Sequence, residues 1–120
     1  MKITGLKTLF IDIDGTLLFH HGIPNKQTLL PAVILPGVLE KLAVWEEKGY
    51  RFILITGRKE SERKLTEEQL SVAGIQYDKL LMGISRGDRV IINDMKPDSE
   101  CPTAVAINLK RNEGISDIEL

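Results

Sequence analysis

The chain has 120 residues, of which 42% are hydrophobic and 28% are charged, and its formal net charge is −1. This composition predicts a single soluble domain, residues 1–120, and excludes two domains, a membrane span and a strongly basic nucleic-acid surface. The single Cys101 cannot form an internal disulfide, so the sequence favours a reducing, cytoplasmic location.

Hydrophobic patterning predicts a strand, a loop and a helix in the first part of the chain. The run from Leu9 to Ile13 is short and apolar, which is typical of a core strand. Residues 19–36 contain several prolines and predict an irregular loop or flap. Residues 37–48 follow helical spacing, and Gly49 is a natural stop. The positions of this helix expected in the core are Val38, Leu42 and Trp45.

The rest of the chain alternates between apolar runs and a polar, helical stretch. RFILITGR, residues 51–58, predicts the second buried strand, and residues 60–73 predict a helix. A short third strand is expected around residues 79–82. Two further apolar runs, at 89–94 and 104–108, predict a fourth and a fifth strand.

Apolar strands that alternate with helices predict an α/β fold. We expect a Rossmann-like parallel sheet of about five strands with helices on both faces. One link conflicts with this expectation, because residues 83–88 are too few for a parallel crossover. Either the third strand is peripheral, or it pairs with the fourth in an unusual way. The polar tail, residues 109–120, is predicted as a short helix, a flexible end or a partner contact.

Two aspartates, Asp12 and Asp14, end the first predicted strand and are followed by Gly15 and Thr16. Ionised carboxylates are costly in an apolar setting unless they are paired or bind a cation. Because strand alternation places residues i and i+2 on one side, the two carboxylates are expected to converge on one point. An Asp-Gly turn is the plainer alternative. The full string favours a site for a cation and for phosphate chemistry.

Polar residues also follow the second and the fourth predicted strands. Thr56, Gly57 and Arg58 follow the second strand, where a hydroxyl and backbone N–H groups suit phosphate oxygens. A strand-to-helix turn is the plainer alternative for Thr-Gly. The fourth strand ends at Asp94, and Asp98 follows four residues later. Because ligands gather at the carboxyl ends of parallel strands, the three strand ends together predict a metal and phosphate site.

These strand ends resemble the motifs of the haloacid dehalogenase-like (HAD) phosphohydrolase superfamily over nearly the whole chain. Residues 12–16, DIDGT, resemble its first motif, Thr56 resembles its second, and residues 93–98 resemble its acidic fourth motif. The resemblance implies a phosphoric monoester hydrolase in which Asp12 attacks phosphorus to form an aspartyl-phosphate. It implies that Asp14 is the general acid and base and that Thr56 hydrogen-bonds the phosphoryl group.

The resemblance also implies Mg²⁺, whose charge would offset the repulsion between the nucleophilic carboxylate and the phosphate. Oxygen ligands suit Mg²⁺, and the sequence offers no His/Cys cluster for zinc. The implied phosphate-binding residues are Gly15, Thr56, Gly57 and Arg58. The implied metal ligands are Asp12, the backbone carbonyl of Asp14, Asp94 and Asp98, the last directly or through water.

The third motif of the superfamily, a lysine shortly before the fourth strand, is absent from residues 82–89. Lys96 is the first candidate to replace it, because its loop is expected to border the site. The other candidates are Arg58, Lys59, Arg63, Arg86 and Arg89. If none fills the role, the alternative is a HAD-like protein that binds Mg²⁺ and phosphate, or serves in assembly, with little or no turnover.

The substrate is expected to be small. The sequence leaves no room for a cap domain, so the resemblance implies a capless enzyme with an open site. An open site implies either a large substrate or a wall supplied by a neighbouring subunit in a homo-oligomer. Small capless relatives act on phosphorylated sugars, sugar acids or nucleic-acid ends. Because the net charge is near zero, we expect a small phosphorylated metabolite of carbohydrate metabolism rather than a nucleic acid.

Overall fold

A parallel sheet of three short strands, in the order β1-β2-β3, forms the centre of the protein in the computed structural model, which describes residues 5–23 and 26–120. The strands are β1 (Thr8–Asp12), β2 (Arg51–Ile55) and β3 (Lys79–Leu81). β2 pairs with both neighbours, and Asp12 at the end of β1 lies opposite Ile55 at the end of β2. The chain therefore leaves all three strands at one edge of the sheet. These strands lie where the sequence predicted the first three.

Two helices, α1 (Val38–Glu47) and α2 (Arg63–Ala73), follow the first two strands. A short 3-10 turn, Glu60–Glu62, precedes α2. The helix α2 ends at Gly74, whose φ of 78° is left-handed and whose N–H donates to the carbonyl of Leu70. Glycine adopts this conformation readily, and it therefore stops the helix. Both helices confirm the sequence prediction.

The hydrophobic core joins side chains from the turn after β1, from both helices and from β2. Ile13, Leu17 and Leu54 are completely buried. Burial of each such side chain contributes roughly 1.5–3 kcal/mol. The predicted core positions of α1 are also buried, namely Val38, Leu42 and Trp45. Packing of this core fixes the positions of the polar segments that follow β1 and β2.

Segments 89–94 and 104–108 are not strands in the described part of the chain. The prediction of a five-stranded, Rossmann-like sheet with helices on both faces is therefore wrong, and the observed architecture is a three-stranded parallel sheet with two helices. Val90 is 77% exposed and Ile92 is 93% exposed, whereas strands of a buried sheet would hide them. Strand propensity reflects packing against neighbouring strands as much as residue type, and the local pattern does not supply those neighbours.

The C-terminal segment, whose state the sequence left open, packs against the body of the protein. Ile115 is buried, and its N–H donates to the carbonyl of Pro36 at 3.1 Å. Gly114 lies so close to Pro36 that a methyl group in place of its hydrogen would clash with the Pro36 carbonyl oxygen. The segment thereby returns to the loop that follows β1.

Residues 1–4 and 24–25 lie outside the described residues; they belong to the predicted domain and to the predicted loop 19–36 respectively. The described part of that loop is irregular, as predicted, apart from an isolated bridge between Leu18 and Ile34. Within the two described ranges, no helix has both the length and the apolar character needed to cross a membrane.

Candidate functional site

Asp12, the last residue of β1, presents an open carboxylate at the edge of the sheet. Its side chain is 40% exposed, and its Oδ1 lies 4.0 Å from Nη2 of Arg89. Partial burial raises the pKa of the Asp12 carboxyl above its ordinary value; the charge of Arg89 opposes this shift, and the charge of Asp14 adds to it. An accessible carboxylate beside a guanidinium can contact a cation, a phosphate group or a transferable proton.

Asp14 lies in the turn beyond β1, and the guanidinium of Arg58 binds both oxygens of its carboxylate. Nε of Arg58 donates to Oδ2 at 2.9 Å, and Nη2 donates to Oδ1 at 2.7 Å. The two side chains are only 14% and 4% exposed respectively. Two parallel, charge-assisted hydrogen bonds fix the orientation of both groups, and burial limits their screening by water. Asp14 is therefore locked into the frame of the site, whereas Asp12 is open.

Two glutamines extend this buried network. Oε1 of Gln69 accepts a hydrogen bond from Nη1 of Arg58 at 2.7 Å, and Nε2 of Gln69 donates to the carbonyl of Gln27 at 3.1 Å. The Gln27 amide in turn donates to Oδ1 of Asp14 at 3.0 Å. The network joins loop 19–36, α2 and the turn after β1. It keeps every polar atom of the buried pair supplied with a partner, which is the condition for a buried ion pair to persist.

Thr56 and Gly57 follow β2, but the Thr56 hydroxyl faces the fold. Thr56 is 1% exposed, and its Oγ1 accepts the N–H of Arg58 at 3.1 Å. Gly57 fits against the carbonyl oxygen of Ile84, where a methyl group would lie at 3.1 Å. These two residues form the turn from which Arg58 reaches Asp14.

The implied metal ligands do not come together in the described part of the chain. Asp94 and Asp98, with Lys96 between them, are exposed and form no ion pair with another described residue. Within residues 5–23 and 26–120, no group of three or more His, Cys, Asp or Glu side chains is placed to hold a metal ion. At the end of β1, Asp12 offers a partly exposed carboxylate, which forms a long ion pair with Arg89 at 4.0 Å.

Among the candidates to replace the missing lysine, Arg89 is the one that lies beside Asp12. Arg58 is occupied by Asp14, and Arg63 pairs with the nearby acidic residues Glu60 and Glu67. The remaining candidates are exposed and form no ion pair within the described ranges, namely Lys59, Arg86 and Lys96.

Sequence reasoning missed three residues that shape the site, namely Gln27, Gln69 and Asn112. Gln27 and Gln69 support the buried ion pair. Asn112 exchanges two hydrogen bonds with the backbone of His20, at 2.7 and 3.0 Å. Each is an uncharged polar residue in an ordinary polar stretch, so no local pattern singles it out.

The raised pKa of Asp12 predicts a pH-dependent effect of Asp12→Asn on stability. A carboxyl whose pKa is higher in the folded state stabilises the fold most at low pH, and this contribution is lost as pH rises from the ordinary value of 3.8 through the folded-state pKa. We therefore expect the variant to melt at a higher temperature than the wild type at about pH 7, with the gap closing towards about pH 3. Thermal unfolding followed by circular dichroism across this range measures the gap. A variant that is less stable at neutral pH would contradict the sign.

Comparison with known proteins identifies structural relatives but no family. No family model matches the chain, and no curated protein matches it. A chain in the structure of the Pnkp1/Rnl/Hen1 complex is 34% identical with a TM-score of 0.58, over 70% of this chain and 30% of that chain. A chain in the structure of the Pnkp1/Rnl/Hen1 RNA repair complex is 30% identical with a TM-score of 0.57, over 78% and 28%.

A target protein from Vibrio cholerae is 20% identical with a TM-score of 0.51, over 72% of this chain and 79% of that chain. At that identity the likeness concerns the fold alone. The present chain spans less than a third of the length of the two RNA-repair chains. It therefore corresponds to a part of each of them.

These comparisons overturn the expected family and function. Because the relatives with the higher identity are chains of an RNA repair complex, the expected assignment to the HAD superfamily is wrong. The same findings contradict the predicted function, namely a sugar-phosphate phosphatase with an aspartyl-phosphate intermediate and a role in carbohydrate metabolism. They also contradict its alternative, a non-catalytic HAD-like protein. The string DIDGT is a short local pattern, and a local pattern specifies a turn and its carboxylates rather than a substrate.

The expected partners are also contradicted. The sequence predicts a small phosphorylated substrate, no nucleic acid and a homo-oligomeric wall, whereas the relatives are chains of an RNA repair complex. The net charge of −1 misled the prediction, because it is an average over the whole chain. A surface can carry exposed arginines such as Arg86 and Arg111 while distant carboxylates balance the total.

Proposed function

We propose that this chain is part of a phosphoric monoester hydrolase that removes a terminal phosphate from RNA and works beside other RNA-repair proteins. The observation that carries the proposal is the open Asp12 carboxylate facing Arg89, next to the locked Asp14–Arg58 pair. The likeness to chains of an RNA repair complex supports RNA as the substrate class. In the reaction, water supplies the hydroxyl that ends on phosphorus, and the P–O bond to the RNA breaks to leave an RNA hydroxyl.

The proposal gives different roles to the residues after β1. Asp12 is accessible and meets the reacting phosphate or its cation, while Arg89 supplies positive charge to the phosphate oxygens. Asp14 and Arg58 are buried against each other and hold the turn in place. A rigid frame beneath an open carboxylate favours a fixed geometry for the reacting groups.

Magnesium is part of the proposal. Mg²⁺ is commonly bound by one or two carboxylates together with substrate phosphates and waters, rather than by a cage of protein ligands. Asp12 fits the role of such a carboxylate, because its side chain is partly exposed at the end of β1. The cation would neutralise charge on the phosphate.

A cytoplasmic location is also proposed, because the exposed thiol of Cys101 is typical of a reducing compartment.

Phosphate release from an RNA oligonucleotide that carries a terminal phosphate tests the proposal. We expect release in the presence of Mg²⁺ and its loss in excess EDTA, with recovery when Mg²⁺ is restored. Oligonucleotides with a 3′-phosphate and with a 5′-phosphate are tested separately, and the unphosphorylated RNA serves as the blank. Absence of release from both phosphorylated RNAs would contradict the hydrolase proposal. Undiminished release in EDTA would contradict the role of the metal.

A further inference from the structure

The C-terminal segment crosses the turn that carries the site. The N–H of Asn112 donates to the carbonyl of Gly15 at 2.9 Å. Its side-chain amide accepts the N–H of His20 at 2.7 Å and donates to the carbonyl of the same residue at 3.0 Å. Asn112 has a φ of 65°, in the left-handed region that asparagine tolerates better than most residues. Buried Ile115 anchors the segment three residues later.

This arrangement lays Arg111 across Gly15. A methyl group in place of the Gly15 hydrogen would lie 3.1 Å from Cγ of Arg111 and 3.8 Å from its Nε. Arg111 is exposed, and within the described ranges its guanidinium pairs with no carboxylate. The stem and Nε of Arg111 thus lie over Gly15, and its guanidinium forms no ion pair with a described carboxylate.

Two arginines therefore border this turn in different positions. Arg89 lies beside the carboxylate of Asp12, where the proposed reaction places the terminal phosphate. Arg111 lies over Gly15, which follows Asp12 by three residues. An RNA end presents a second anion close to its terminal phosphate, namely the adjacent phosphodiester. The planar guanidinium of arginine matches phosphate geometry with two parallel hydrogen bonds.

We propose that Arg111, positioned by Asn112, binds the phosphodiester next to the reacting end of the RNA. This inference rests on the proposed function and adds a substrate class to it. Arg111 makes a phosphorylated RNA end a better ligand than a phosphorylated mononucleotide, which has no adjacent phosphodiester. A solvated arginine that only covers the glycine turn would make no such distinction.

Binding measurements on Arg111→Ala test the inference without relying on turnover. Fluorescence anisotropy of a labelled RNA oligonucleotide with a terminal phosphate gives the Kd. We expect the Kd of the variant to rise about tenfold. We also expect the slope of log Kd against log salt concentration to fall by about 1, which corresponds to the loss of one phosphate contact. The affinity for the matching mononucleotide phosphate, measured by its displacement of the labelled RNA, is expected to change less than about twofold. Circular dichroism checks the fold, which exposed Arg111 does not support through any ion pair within the described ranges.

Arg51→Ala is the matched control. Arg51 is exposed at the first position of β2, at the opposite end of the strand from the site, so its loss removes one positive charge without touching the proposed contact. The control is expected to bind RNA like the wild type. A second variant, Asn112→Gly, keeps the left-handed backbone but removes the two side-chain bonds to His20, and it is expected to lose part of the same affinity.

The outcomes separate this inference from the proposed function. Equal RNA affinity of Arg111→Ala and the wild type overturns the role of Arg111, even where phosphate release is normal. An equal loss in Arg111→Ala and Arg51→Ala also overturns it, because the effect would then be one of net charge. If the wild type binds RNA through Arg111 but releases no phosphate, the hydrolase proposal fails and the RNA contact holds. If the wild type does not bind RNA, both fail.

Discussion

Asp12→Asn is expected to lower the rate of phosphate release from terminally phosphorylated RNA by about 10³-fold. The substitution removes the negative charge from the accessible carboxylate at the end of β1 while preserving its size. Because Asp14 is held by Arg58 through both oxygens, it has no carboxylate oxygen free of a donor with which to replace Asp12. Single-turnover release of end-labelled phosphate at saturating enzyme measures the chemical step rather than binding.

Asp117→Asn is the control for this loss, because it removes one exposed carboxylate from the C-terminal segment. It is expected to release phosphate at the wild-type rate. The thermal stability of Asp12→Asn at neutral pH should meanwhile equal or exceed that of the wild type, so unfolding would not explain the lost activity. Retention of more than about a tenth of the activity in Asp12→Asn would remove Asp12 from the reaction.

Arg58→Met is expected to lower the free energy of unfolding by about 3–5 kcal/mol. The substitution leaves the carboxylate of Asp14 in a site where it is 14% exposed, with its ion-pair partner removed. It also removes the donor to Gln69, which links α2 to the same network. This is a large fraction of the roughly 5–15 kcal/mol that stabilises an ordinary domain. Urea denaturation measured by circular dichroism gives the free energy directly.

The physical cause is tested by adding Asp14→Asn to Arg58→Met. The double variant no longer buries an unpaired charge, so it is expected to recover at least about half of the lost stability. Glu119→Ala is the surface control: it breaks the ion pair with Lys41 at a residue that is 89% exposed, and should cost less than about 1 kcal/mol. A double variant as unstable as Arg58→Met alone would mean that packing, rather than charge, explains the loss.

The elements with a clear pattern could be predicted from the sequence, and the strands that need a distant partner could not. The spacing of Val38 and Trp45 placed α1, and the apolar run 51–55 placed β2. The equally apolar runs 89–94 and 104–108 remain outside the sheet. A strand exists only where a neighbour supplies backbone partners, and neither run carries that information in its own residues.

The site illustrates the same limit. Strand alternation predicted that Asp12 and Asp14 would point to one side, but β1 ends at Asp12, so the alternation no longer applies at Asp14. The partner of Asp14 had a detectable signal. Parallel pairing brings the carboxyl ends of β1 and β2 together, with Asp12 opposite Ile55, and therefore places Arg58 near Asp14. The glutamines of the network had no such signal.

The central claim is that the end of an RNA, rather than a sugar phosphate, is the substrate of the Asp12 site. The most direct measurement is the ratio of kcat/KM for a terminally phosphorylated RNA oligonucleotide to kcat/KM for sugar phosphates, in the same buffer with Mg²⁺. The account predicts that RNA is preferred by at least about tenfold, because an adjacent phosphodiester adds a contact that a sugar phosphate lacks. A ratio of one or less would contradict it.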